Sequence, residues 1–79
     1  MPDEGIEVIC YSGYREQEIP RSFIIHKETI QIVEIIYMWI EEEFHNRTRK
    51  RFFKVKGNDG FIYSLYRDES NHKWFIREK

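Results

Sequence analysis

The chain of 79 residues is poor in the features that usually staple or punctuate a small domain, with one cysteine, two prolines and four glycines. A lone Cys10 excludes an intramolecular disulfide, and no Cys-x-x-Cys pair or Cys/His cluster marks a structural zinc site. No cofactor is expected, and the domain must stand on packing. Long apolar runs are missing too: the longest is Ile35-Ile36-Tyr37-Met38-Trp39-Ile40, far short of the ~20 residues that cross a bilayer. No membrane-spanning helix is expected. The opening Met1-Pro2-Asp3-Glu4-Gly5 is acidic with no apolar stretch behind it, unlike a secretory signal. Residues 1–5 are expected to form a flexible N-terminus ahead of a single β domain over 6–79, and the unpaired thiol suits a cytoplasmic setting. Finally, neither sign of charge dominates. Thirteen Lys and Arg against 14 Asp and Glu leave a net charge of −1, which predicts no bulk attraction to a polyanion.

What the chain does have is aromatic and β-branched residues. Thirteen Phe, Tyr and Trp make up 16 % of the sequence, more than the interior of a small barrel needs beside its Ile and Val. Arg51-Phe52-Phe53-Lys54-Val55-Lys56 and Phe61-Ile62-Tyr63-Ser64-Leu65-Tyr66 flank Gly57-Asn58-Asp59-Gly60. Two strand-like runs around a cluster that tolerates positive φ predict a C-terminal hairpin. Ile6 to Tyr11 alternates as a first strand closed by Ser12-Gly13, Tyr14 to Glu18 is a polar loop, and Phe23-Ile24-Ile25 follows Pro20 at a strand start. His26 to Thr29 reads as a turn, Asp68 to His72 as another, and Lys73 to Arg77 as a last strand.

The segment Thr29 to Phe44 carries two conflicting signals. Ile32, Ile36, Ile40 and Phe44 recur every four residues, as on a helix face. Its β-branched content disfavours a helix, however, and the alternation through Ile30 and Ile32 changes phase at Val33, as a β-bulge would be written. A bent strand is the favoured reading and a helix the alternative. Glu41 to Asn46 is then the connection into the hairpin. Together the elements predict an all-β domain, a small antiparallel barrel or sandwich of about six strands, SH3-like in size.

Pro20-x-x-Phe23, Ile32-Val33 running to Trp39, Phe52-Phe53-Lys54-Val55, Asp59-Gly60-x-x-Tyr63-x-Leu65-Tyr66-x-Asp68 and Trp74-x-Ile76 together resemble a family of small, functionally uncharacterised prokaryotic β-rich proteins. The likeness spans Pro20 to Ile76. Ile19 stands where the family often has Arg, and His26-Lys27 where its first turn has glycine. The resemblance brings no catalytic residues. It implies a link to DNA transactions, because such proteins are sometimes encoded near genes for error-prone DNA polymerases.

Converging catalytic groups are not evident: His26, His45 and His72 fall in expected turns, no Gly-x-Ser-x-Gly elbow occurs, and Cys10 lies on the core face of a strand. A non-enzymatic binding module is expected, acting first as an accessory protein-interaction or self-associating domain. If Tyr63, Leu65, Trp74 and Ile76 (with Phe61) face the core, then Ile62, Tyr66 and Phe75 form an apolar patch for a protein partner. The alternative is a nucleic-acid-binding barrel linked to DNA repair or replication. Arg47, Arg49, Lys50, Arg51, Lys54 and Lys56 place six cations in ten residues with no acid among them. In that reading Arg49, Arg51, Lys54 and Lys56 track phosphates while a base stacks on Phe52.

Overall fold

The computed structural model describes residues 4–11, 19–45 and 47–77. They form six strands: β1 (Glu4–Tyr11), β2 (Ile19–Ile25), β3 (Glu28–Glu43), β4 (Thr48–Gly57), β5 (Ile62–Asp68) and β6 (Lys73–Ile76). Each pairs antiparallel with the next, and β1 closes on β6 to make a barrel. Closure pairs the first strand with the last, so the sheet does not end in two unpaired terminal strands. The expected Ser12-Gly13 stop and the loop Tyr14 to Glu18 lie outside the described residues. At the other end of β1, Glu4 and Gly5 pair with Ile76 and Phe75, so the strand begins two residues before Ile6.

Alternation decides what the barrel encloses. Inward side chains meet across successive strands as Ile6–Trp74, Val8–Phe23, Phe23–Ile30, Val55–Tyr63, Phe53–Leu65 and Leu65–Ile76. Phe23, Phe53, Val55 and Leu65 are fully buried in that core, with Phe23 edge-on to Tyr63. Phe61, expected on this face, instead precedes β5 and lies exposed, because its backbone is spent closing the turn: Phe61 C=O accepts from Gly57 N–H, and Phe61 N–H donates to Asp59 Oδ1.

The segment 29–44 is a strand up to Glu43: β3 runs unbroken for 16 residues with no helix, and Phe44 lies in the turn after it. Its register on β4 skips at Val33 and again at Ile36, each an extra residue with no opposite number. The first skip is the bulge expected at Val33; the second reverses the faces once more. Two bulges put Ile32, Ile35 and Met38 on one side at intervals of three, a spacing that imitates a helix. Glu41, Glu42 and Glu43, expected in the connection, continue β3 opposite Lys50, Arg49 and Thr48, so the connection is shorter than anticipated.

The turns use side chains where glycine is scarce. His26 and Lys27 both hold positive φ, 51° and 67°, between the paired Ile25 and Glu28, which is the backbone of a two-residue type I′ hairpin. In the β4–β5 turn, the Tyr63 hydroxyl donates to Asp59 Oδ2. That bond holds the Asp59 carboxyl below its usual range and pushes the Tyr63 hydroxyl up to about 12. A depressed carboxylate stabilises the fold above its unfolded titration, and that contribution is lost as pH falls through the folded value; a raised phenol stabilises below pH ~10 and is lost as pH rises toward 12. We expect ultraviolet titration to show Tyr63 ionising late, and Asp59→Asn to bring it back toward the ordinary range. An unchanged titration in the variant would mean that Asp59 is not its cause.

Candidate binding surface

β4 alternates, so the basic run is divided between two faces. Arg49 and Arg51 lie on the inward side with Phe53, while Lys50, Lys54 and Lys56 point outward with Phe52. The four cations expected to form one phosphate track are therefore split, Lys54 and Lys56 sharing the outer face with Phe52 and Arg49 and Arg51 the opposite one. Arg49 lies 3.6 Å from Glu42, and Arg51 lies 3.9 Å from Glu69, which also holds Arg67 at 3.2 Å. Both inward arginines are thus partly neutralised by acids of neighbouring elements.

The outer face holds a second apolar cluster. Register sets Trp39 opposite Phe52, Phe52 opposite Tyr66, and Tyr66 opposite Phe75, making one row across β3, β4, β5 and β6. The rings follow one another at centroid distances of 5.1, 4.9 and 5.2 Å, the first and last pairs stacked and Phe52–Tyr66 tilted by 35°. Arg77 places its guanidinium 4.4 Å from the Phe52 ring centre, and the Lys50 ammonium sits 5.2 Å from that of Tyr66. Trp39 Nε1 donates to Glu41 Oε2 at 3.0 Å. Self-stacking under these charged side chains leaves Phe52 0 % and Tyr66 5 % exposed, with Phe75 half-buried.

This corrects two expectations about exposure. Phe52, Tyr66 and Phe75 do face outward as alternation requires, yet Phe52 offers no free ring for a base, and Tyr66 and Phe75 do not form an open patch with Ile62. Of that set Ile62 alone is exposed. Facing is a local property of the strand; exposure depends on neighbours three strands away.

The exposed apolar side chains gather elsewhere. Beyond Gln31, β3 leaves β2 and continues with β4 as an arm, paired on one side only among the described residues. Along it Val33, Ile36, Tyr37, Met38 and Ile40 are exposed, and Phe44 at its tip is 90 % so. Met38 and Ile40 share the inward side with Phe53 and Arg51, while Tyr37 shares the outward side with Lys54. Where the arm parts from β2 it leaves a cleft of about 440 Å³, walled by Ile19, Met38, Ile40 and Phe53 with Arg49 and Arg51 at one end.

Sequence reasoning assigned none of Tyr37, Met38 and Ile40 to a site. The available signal was the unbroken apolar run Ile35 to Ile40, too apolar on both sides for a strand with one wet face. The histidines at 26, 45 and 72 are exposed in turns, with His72 Nδ1 2.8 Å from the Arg67 guanidinium. No family model, curated protein or solved structure matches the chain.

Proposed function

We propose that this protein is a non-enzymatic protein-interaction module that engages its partner through the β3–β4 arm. The observation that supports this reading is the concentration of exposed Val33, Ile36, Tyr37, Met38 and Ile40 on a strand whose far edge has no partner among the described residues. Backbone groups along such an edge can extend a sheet, and contiguous apolar side chains on both faces mark a surface that is covered in use.

Nucleic acid is the second reading, and one observation favours it. The exposed Tyr37 ring lies beside Trp39 at 5.6 Å, opposite Lys54 and one step from Lys56. A base would stack there rather than on Phe52, and the family resemblance points the same way.

A photo-crosslinking residue placed at 37, with the exposed position 61 as control, tests both in the cells that make the protein. Protein adducts from 37 and none from 61 are the expected result. Adducts only to nucleic acid would replace the first reading with the second, and a silent position 37 would remove both.

A further inference from the structure

We infer that the cleft beside the β3–β4 arm is a binding site for a small amphipathic carboxylate of the fatty-acid type, its acyl chain on Phe53 and its head group between Arg49 and Arg51. This goes beyond the protein-partner reading and stands on a different observation, the order of side chains along the cleft. Inward residues of β3 and β4 meet in three successive pairs: Met38 with Phe53, Ile40 with Arg51, and Glu42 with Arg49. Apolar character thus gives way to cationic character in one direction, over the ~13 Å that four residues of strand span. Ile19 of β2 closes the apolar end, and at about 440 Å³ the cleft falls in the range of small-molecule sites, which are mostly apolar with a few polar groups that fix orientation. Met38 and Ile40 are about half exposed, so an acyl chain laid along them removes apolar surface from water that a short acid would leave wet.

Charge selects the head group. Among the described residues no acid lines the cleft, so Glu42 and Glu69 approach the two arginines from outside it. Both come closest at Nε, 3.6 Å from Arg49 and 3.9 Å from Arg51, beyond hydrogen-bond distance. Glu69 Oε2 lies nearer Arg67, at 3.2 Å, which weakens its hold on Arg51. Each guanidinium therefore keeps its Nη1–Nη2 fork, the geometry that takes a carboxylate through two parallel bonds, without a hydrogen bond among the described residues. Arg51 is the stronger anchor: its side chain is 26 % exposed against 52 % for Arg49, so its charge is less screened, and it stands directly opposite Ile40 at the edge of the apolar wall.

Methyl NMR titrations with octanoate, its neutral counterpart octanol and the short acid acetate test the site. Octanoate should move the methyl signals of Ile19, Met38 and Ile40 and leave those of Val33 and Ile36 in place. Octanol should bind about tenfold more weakly or worse, and acetate should not bind measurably. Arg51→Gln should bring octanoate down to the affinity of octanol, and Arg49→Gln, at a half-exposed side chain, should weaken it less, both with the circular dichroism of the parent. Should Arg51→Gln lose the fold, Arg49→Gln and the comparison of octanoate with octanol in the parent still decide. Equal affinities for octanoate and octanol overturn the proposal, as do shifts spread evenly to Val33 and Ile36, octanoate binding indifferent to both arginine variants, or no binding of octanoate in the millimolar range. Either result from crosslinking at position 37 leaves this test as it stands, so the two readings fail separately.

Discussion

Phe52→Ala is expected to cost about 3 to 5 kcal/mol, the usual range for emptying a buried aromatic site. A 79-residue domain has only about 4 to 12 kcal/mol of stability, so the loss should take from a quarter to all of it. The reason is that Phe52 lies inside the outer row: its ring stacks on Trp39 on one side and packs at a tilt against Tyr66 on the other, with Arg77 over its face. Removing it takes a neighbour from three side chains at once and opens the row to water. Urea denaturation measures the effect directly. Phe52→Leu, which keeps most of the volume, should lose much less. A variant with Ala at 52 that remains as stable as the parent would show that the outer cluster contributes nothing to the fold, and the barrel interior alone would have to account for its stability.

Gly57→Ala is expected to be the most damaging small substitution in the chain, at about 1 to 3 kcal/mol. Gly57 closes β4 opposite Ile32, with its backbone against the core. A methyl group added there would stand 2.6 Å from Ile30 Cγ2, 2.8 Å from Asp59 Oδ1 and 3.2 Å from Tyr63 Cε2. The carboxylate can swing aside only by giving up the bonds that Phe61 N–H makes to Oδ1 and the Tyr63 hydroxyl makes to Oδ2. Ile30 is buried in the core and has less room to yield. Gly60 provides the contrast: a Cβ there meets nothing within 4 Å, and its cost arises from φ of 90° alone. Thermal melts of both variants should therefore show Gly57→Ala losing cooperativity against the core, while a milder Gly60→Asn loses little. Equal melts for Gly57→Ala and the parent would mean that β4 and Ile30 can separate without penalty.

Both predictions concern residues whose importance is unequally visible in the chain. Fold class, strand number and the hairpin around Gly57 to Gly60 are legible in the sequence, because alternation and turn chemistry act over a few neighbouring residues. The bulge at Val33 is legible for the same reason: a single extra residue reverses the phase of the pattern. The bulge at Ile36 is not, since both of its neighbours are apolar and no polar residue marks the change of face. Without it Tyr37 and Trp39 read as inward residues, and the aromatic row loses its first member.

Sequence by itself thus determined that the chain is a small all-β domain, that Phe53, Val55, Leu65 and Trp74 point inward, and that Phe52, Tyr66 and Phe75 point outward. Only the tertiary structure decided which outward residues meet water. Register brought Phe52, Tyr66 and Phe75 under one another's rings and Arg77 over them, closing the expected patch, while the parting of β3 from β2 left Tyr37, Met38 and Ile40 uncovered. Direction is set by the two-residue period of a single strand. Exposure is set by which strands lie alongside, and those contacts join residues tens of positions apart, where the local pattern carries no information.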